Sequence, residues 1–243
     1  MKKNSSTRYI TFVGFALWFA SVGCGLLTTS ISDVKTESQS VDLGSASTAS
    51  AQIEVPAGEL KVEGGAASLM VASFRYNVSD WKPEVKYSEN GTQGDLLISK
   101  PGAAQFPVGG ELINEWTIQF ANDVPLDLTI VKYAGNAELD LGALNLTKLS
   151  IQSPTGVTTV NLDGIWHHDL DVTIRGDAGE VTVNLPEAMG VRVDMETGTL
   201  VSVTADGLTK DENGYVNKAF GTAPYTLTLK VESDVGSVVL VAP

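Results

Sequence analysis

Apolar and polar residues alternate along most of the chain after about residue 120. Within 126–131, for example, each Leu or Ile is followed by Asp, Thr or Val. Because successive side chains of a strand point to opposite faces, each such segment predicts a half-buried β-strand. The alternation recurs at 138–141, 149–151, 160–162, 169–174, 180–185, 191–195, 225–231 and 238–240. No long helical period is found from Gln52 to Pro243, so we expect an all-β domain.

Glycines separate these strands at near-constant intervals. The unit is a strand, a short glycine turn and a second strand, about 20 residues in all, and residues 53–62 hold an earlier copy. Such self-similarity predicts a stacked, β-solenoid-like fold, in which neighbouring units bury each other's apolar faces. An antiparallel sandwich with regular hairpins is the alternative; the constant repeat length favours the stack. The key glycines are Gly135, Gly156, Gly179, Gly198 and Gly236, with 208–221 as an insertion before the last.

The first 27 residues have the pattern of an export signal. Residues 1–8 are polar and basic, and residues 9–27 carry no charge, as in a basic region followed by an apolar one. The only cysteine, Cys24, follows Ala-Ser-Val-Gly near the end of the apolar run. The segment resembles a bacterial lipoprotein signal peptide, although leucine is commonest at the position of Ser21. The resemblance implies cleavage between Gly23 and Cys24 and a lipid on Cys24.

Two alternatives stay open for this leader. A run of 19 apolar residues is just long enough to span a bilayer as an uncleaved anchor, and plain secretion is the other possibility. Residues 24–51 are rich in Ser and Thr and poor in large apolar residues, which predicts a flexible linker. The expected organisation is therefore a signal peptide at 1–23, a linker at 24–51 and one domain at 52–243, with the more regular repeats from residue 126.

Charge and cysteine content exclude several classes of protein. The chain has 29 Asp and Glu against 16 Lys and Arg, for a net charge of -13, and the leader holds three of the basic residues and no acid. Removing the leader changes the net charge to -16. Such an acidic chain repels phosphate backbones, so no nucleic-acid partner is expected. One cysteine leaves no intramolecular disulfide framework and no Cys-rich zinc site.

Several segments together resemble the toast-rack domain proteins. Residues 55–66 read VPAGELKVEGGA, like the opening segment of that family, and residues 69–77 resemble its next strand. The stretches WKPEVKY at 81–87, NEWTI at 114–118 and PLDL at 125–128 fit further family segments. The corners Ala-Gly-Asn and Thr-Gly-Val around Gly135 and Gly156 depart from the family's usual Gly-Ala-Gly.

The resemblance implies a protein of the bacterial cell envelope, often lipid-anchored. Related β-solenoid domains include adhesins and the C-terminal domain of LiaF-like regulators of the envelope stress response. No enzymatic activity is associated with the family. The chain is thus expected to be an extracytoplasmic, adhesin-like binding or scaffolding protein, held at the membrane through its lipidated N-terminus. Its expected partner is an envelope protein or a glycan; a stress sensor and a cell-wall enzyme are the alternatives.

Few residues are candidates for chemistry. No nucleophile and base motif appears, and the only histidines, His167 and His168, are expected to be solvated turn residues. No catalytic residue, metal ligand or cofactor is therefore predicted. Trp166, followed by these two histidines, is predicted to be an exposed aromatic at a binding edge. Trp81 and Trp116 are expected in the core.

Acidic residues fall on the polar sides of several predicted strands. If the units stack in register, their carboxylates could form ladders that attract Ca²⁺. A solvated acidic surface that keeps the protein soluble and resists edge-to-edge strand pairing is the favoured interpretation. These residues are Asp127, Asp140, Asp171, Glu180 and Asp194.

Overall fold

The computed structural model describes residues 31–100, 107, 110–212 and 214–243, and almost all its regular structure is strand. The described residues contain no helix of the length and apolarity that crossing a bilayer requires. A short 3₁₀-helix covers Ser79–Trp81. The strands are β1 Ile31–Val41, β2 Thr48–Val55, β3 Gly58–Gly64, β4 Met70–Val78, β5 Glu84–Asn90, β6 Gln93–Ser99, β7 Asn114–Phe120, β8 Leu126–Lys132, β9 Gly135–Asp140, β10 Leu146–Gln152, β11 Thr155–Asn161, β12 Leu170–Asn184, β13 Gly190–Asp206, β14 Leu208–Asp211, β15 Gly214–Asn217 and β16 Thr226–Val241.

The described part of the chain forms two facing layers of parallel strands. One strand of the first layer, a corner and the following strand of the second layer make up a unit that we call a rung, and seven such rungs stack side by side. Through the stack the rungs are β6–β7, β2–β3, β8–β9, β10–β11, β12, β16 and β13, and the last three cross the corner as single long strands. This parallel ladder confirms the predicted all-β stacked fold and excludes the antiparallel sandwich.

The order of the rungs differs from their order in the chain at two places. The β6–β7 rung lies outside β2–β3, and β16 inserts between β12 and β13. The inward side chains of β16, from Leu227 to Leu240, are mostly buried, whereas the second half of β13 is mostly exposed. The interior position explains this difference in burial, because β16 is covered by a strand on both sides and β13 is not.

Inward side chains of both layers form one continuous core. The largest buried side chains lie near the first rungs, where the rings of Phe74 and Trp116 meet edge to face with centroids 5.3 Å apart. Trp81 is buried as well. The predicted core positions of Trp81 and Trp116 are thus confirmed.

A column of glycines forms the corner between the two layers. A Cβ atom added to Gly135 would overlap the carbonyl oxygen of Gly58, and one added to Gly156 would overlap that of Gly135. Neighbouring rungs approach too closely here for any residue with a side chain. The column consists of Gly58, Gly135, Gly156, Gly179 and Gly236.

Gly198 was predicted to belong to this column and does not. The pairing of β13 with β16 shifts register between Thr197 and Leu200, so that Val201 lies beside Gly236. At the edge of the stack no further rung covers Val201, and a side chain is tolerated there. The predicted insertion at 208–221 contains β14 and β15, and Leu208 and Tyr215 of this hairpin pack against the end of the core.

The flexible linker predicted at 24–51 is wrong for residues 31–51. Strand β1 pairs antiparallel with β4, and β2 is a full member of the first layer. The buried Tyr76 hydroxyl donates a hydrogen bond to Glu37 Oε1 at 2.6 Å, and Lys82 Nζ donates to the same oxygen at 3.0 Å. Small residues such as Ala49 and Ala51 fill the core positions of β2, so low hydrophobicity did not mean disorder.

The same contact changes the acidity of both partners. Hydrogen bonds from Lys82 and Tyr76 lower the pKa of the Glu37 carboxyl. Burial, followed by the hydrogen bond to Glu37, raises the pKa of Tyr76 to about 12. The carboxylate of Glu37 therefore attaches β1 to the folded body through charge-assisted hydrogen bonds.

A buried lysine stabilises the glycine corner. Lys132 is 0% exposed, and its ammonium donates hydrogen bonds to the carbonyl oxygens of Gly135 and, at 2.9 Å, of Thr155. Burial lowers the pKa of Lys132, and the charge of Glu59 opposes this shift. The ammonium thereby satisfies carbonyl groups of two successive rungs at the turn.

Replacing a column glycine should cost more stability than replacing a glycine with the same backbone shape elsewhere. Gly156 has φ +100° and Gly65 has φ +107°, but a Cβ on Gly65 would meet nothing within 4 Å. Gly65→Ala should lower the free energy of unfolding by about 1–3 kcal/mol through backbone strain alone. Gly156→Ala should lose a further ~1–3 kcal/mol through overlap with the next rung. Urea unfolding followed by tryptophan fluorescence measures both values, and equal losses would contradict the stacking argument.

Candidate binding surface

The predicted binding edge lies at the corner opposite the glycine column. Residues 141–145 and 162–169 connect successive rungs there and line an open groove of about 370 Å³ with Asn122. A Cβ on Gly142 would overlap the carbonyl oxygen of Asp163, so these two connections also stack closely. The structure places Trp166, His167 and His168 along one groove, and their role as a binding edge stays a prediction.

Trp166 was predicted to be exposed, and this is wrong. The side chain is only 6% exposed and belongs to the core, and its indole Nε1 donates a hydrogen bond to the Leu162 carbonyl oxygen at 3.0 Å. The polar residues around Trp166 suggested exposure, but the connection turns the indole inward and leaves these polar residues outside. The neighbouring Ile165, which drew no prediction, is 81% exposed instead.

The two histidines lie in different surroundings. His167 is exposed, whereas His168 is half-buried with its ring edge to face against Trp166. His168 Nδ1 lies 2.8 Å from the Asp169 carbonyl oxygen, and Nε2 lies 3.0 Å from Asn145 Oδ1. Both ring nitrogens of His168 are engaged, so this ring orders the connection rather than standing solvated in a turn.

A larger open groove of about 570 Å³ crosses the outer face of the second layer. Its outward side chains come from four parallel strands, β7, β3, β9 and β11, in register. They supply carboxylate, amine, amide and hydroxyl groups within one concave surface, and we call this surface the face groove. Its outward lining side chains are Glu59, Lys61, Glu115, Thr117, Asn136, Glu138, Val157 and Thr159.

Contacts within and between neighbouring strands hold the charged groups of the face groove in place. Asn136 Nδ2 donates to Glu59 Oε1 at 3.1 Å, and Glu115 is paired with Arg75 of β4. Lys61 Nζ lies 2.9 Å from Glu63, a hydrogen-bonded ion pair that raises the pKa of Lys61 and lowers that of Glu63. The groove therefore presents fixed donors and acceptors of both charges, which suits recognition of a polar ligand by hydrogen bonds.

Some of the outward acidic residues predicted from the sequence bind amide or basic side chains. Asp140 accepts a hydrogen bond from Asn161 Nδ2 at 3.0 Å, and Asp194 pairs with Arg192 at 3.1 Å. Among the described residues, no three His, Cys, Asp or Glu side chains form a group that could hold a metal ion. The acidic residues are distributed over the surface as part of a mixed polar coat.

Sequence reasoning did not find the face groove. Its lining residues are spread over about 100 positions, from Glu59 to Thr159, and meet only because of the register of the strands. Each of them looks like an ordinary outward residue of a half-buried strand. Only a correct ladder order would have placed them together.

The described chain is therefore a parallel β-solenoid domain with a polar, grooved outer face. The family model described as "N-terminal domain of toast_rack, DUF2154" matches residues 30–184. The chain belongs to this family, as the sequence segments indicated.

Solved structures resemble this fold to different degrees. The crystal structure of a "putative cell adhesion protein" from Clostridium sporogenes is 28% identical, with a TM-score of 0.81, over 86% of this chain and 100% of that one. A "putative adhesin" from Bacteroides fragilis is 9% identical, with a TM-score of 0.32, over 86% of this chain and 97% of the other. None of the curated proteins matches the chain.

The leader predictions lie outside the described residues. Gly23 and Cys24, the expected cleavage and lipid-attachment positions, precede the first described residue, Ile31. They stay predictions from the sequence.

Substitutions in the 162–169 connection should separate its buried from its exposed side chain. Trp166→Ala should lower the free energy of unfolding by about 3–5 kcal/mol, because it removes a buried aromatic from the core. Ile165→Ala should change it by less than ~0.5 kcal/mol, because the side chain is mostly in water. Thermal or urea unfolding of both variants tests this, and a Trp166→Ala variant as stable as Ile165→Ala would refute the burial.

Proposed function

We propose that this protein is a lipid-anchored, extracytoplasmic binding or scaffolding protein of the bacterial cell envelope, with an adhesin-like role and no catalytic activity. The similarity to the "putative cell adhesion protein" from Clostridium sporogenes carries this proposal. That similarity extends over the whole of the other chain at 28% identity. The shared feature is a complete domain rather than a single motif.

The face groove supports binding as the mode of action. It is open and lies on a rigid sheet, where four hydrogen-bonded strands fix the spacing of its polar groups. An envelope glycan or an extended segment of an envelope protein offers a matching row of hydroxyl and amide groups. The proposal therefore assigns ligand contact to the outer face of the second layer.

Two threonine variants test that assignment. Thr159 lies in the face groove, and Thr173 occupies an outward position on the opposite, first layer. Cells that carry the full chain are applied to arrays of envelope glycans and envelope proteins. Thr159→Arg should lower retention by about ten-fold or more, because a large cation fills the groove, whereas Thr173→Arg should leave retention unchanged.

The outcome of this comparison is unambiguous. Retention that equals that of cells without the protein would overturn the adhesin-like role. Retention that is lost equally in both variants, or in neither, would overturn the assignment to the second layer. Circular dichroism of the purified chains shows whether each variant keeps its β-structure.

The anchor has its own test. Cys24→Ala removes the sulfur that the lipid would modify, so the protein should move from the membrane fraction to the soluble extracytoplasmic fraction. Cys24→Ser is the matched variant and should behave in the same way, because oxygen does not replace sulfur in this modification. Protein that still sediments with membranes in both variants would show that another part of the chain holds it there.

A further inference from the structure

The described chain begins at the glycine corner, at the β1 end of the second layer. Ile31, the first described residue, pairs with Val78. The Ser32 hydroxyl donates a hydrogen bond to the Asn77 carbonyl oxygen at 3.0 Å. The Asn77 amide donates to the Ile113 carbonyl oxygen at 3.1 Å, just before β7 begins at this corner. Whatever precedes Ile31 is therefore attached to the domain at the glycine corner.

The folding of residues 31–51 leaves only a short tether to a membrane. Cys24 and Ile31 are seven residues apart in the sequence, a span of at most about 25 Å in any conformation. An uncleaved anchor that ends at residue 27 would leave a shorter one. With the membrane anchor proposed above, on which this inference rests, Ile31 lies within about 25 Å of the bilayer.

Most of the large apolar side chains that are exposed in the described part of the chain lie at or next to the glycine corner. Tyr133, between β8 and β9, is 57% exposed. A tyrosine combines an apolar ring with a polar hydroxyl, which suits the boundary between lipid and water. The other such side chains are Leu112, Val157, Leu200 and Val235.

Three consecutive rungs turn this corner without a charged residue. Their corners are 56–58, 133–135 and 154–156, in the rungs β2–β3, β8–β9 and β10–β11. The third of these rungs lies five strands from β1 in the second layer, which is about 24 Å at the usual strand spacing. All three corners are thus about as far from β1 as the tether can reach. The next two rungs carry Asp177 and Asp234 at this corner.

We propose that the uncharged corner of these three rungs faces the bilayer and contacts the lipid headgroups. The tether brings the corner to the membrane, and the exposed apolar side chains gain from leaving water there. Charged residues lie on both sides of the three corners: Glu111 and the Asp80–Lys100 ion pair of 3.0 Å on one side, Asp177 and Asp234 on the other. Because charges resist transfer into hydrocarbon, the contact stays at headgroup depth.

This orientation leaves the candidate binding surfaces accessible. The 162–169 connection lies at the opposite corner, one strand length away. A strand of seven residues, such as β8, is about 23 Å long. The face groove lies on the side of the stack between the two corners. A ligand in the envelope can therefore reach either surface while the glycine corner rests on the membrane.

Fluorescence quenching in vesicles tests the orientation. The full lipidated chain is reconstituted into phosphatidylcholine vesicles that contain a lipid with a nitroxide quencher on its headgroup. Tyr133→Cys and Ile165→Cys carry the same thiol-reactive fluorophore, and both positions are exposed, so the fold tolerates the label. Cys24 does not react, because its sulfur carries the lipid. The label at position 133 should be quenched about three-fold or more as strongly as the label at position 165.

A third label measures the tilt of the stack. Leu200→Cys places the fluorophore at the far end of the same corner, beyond Asp177 and Asp234, and its quenching should fall below that at position 133. Equal quenching at positions 133 and 165 would overturn the proposal, as would stronger quenching at position 200 than at 133. A chain that does not float with the vesicles would overturn the anchor itself, whereas a floating chain with equal quenching overturns only the orientation.

Discussion

The close approach of successive rungs at one corner is the constraint on which the remaining structure depends. At that corner a Cβ on any column glycine from Gly135 to Gly236 would overlap the carbonyl oxygen of the preceding column glycine. A chain that turns there without a side chain can keep both layers in parallel register, from Gly58 to Gly236. The register in turn aligns the inward Val, Leu and Ile residues into one core and the outward polar residues into rows. Lys132 contributes at the same place, because its buried ammonium satisfies carbonyl groups that the turn takes out of water.

The strands and the glycine corners could be predicted because both leave a local signal in the sequence. Alternation in 126–131 or 180–185 follows from burial of one face, and an isolated glycine between two such segments marks the turn. The order of the rungs has no such signal. The position of β16 between β12 and β13 depends on the pairing of whole strands that lie far apart in the sequence. Strand β1 could not be predicted for a similar reason, since Glu37 meets Tyr76 and Lys82 only through the pairing of β1 with β4.

The candidate binding surfaces differ in the same way: one is built from residues adjacent in the sequence, and the other from residues far apart in it. The sequence could place Trp166, His167 and His168 along one groove, because neighbours in a connection stay together. The burial of Trp166 could not be predicted, because the direction of its indole depends on the core beneath it and on the Leu162 carbonyl oxygen. The face groove left no signal at all. Its carboxylate, amine and amide groups become a surface only when four strands from distant parts of the chain align.

A solenoid must also end, and the ends explain where the charges lie. Each added rung covers the one before it, so the last strand always exposes backbone groups and part of its inner side. The chain addresses this in the first layer with the β14–β15 hairpin, whose Leu208 and Tyr215 cover part of the core. Beyond β7 it adds two antiparallel strands, β4 and the charged β1. The net charge, -13 for the whole chain and -16 without the leader, is thus spread over outer faces and edges. Residues 200–205 of β13 are uncharged within this pattern. An edge without charge, in a chain whose other described edges all carry it, is the place where contact with another strand costs least electrostatic repulsion.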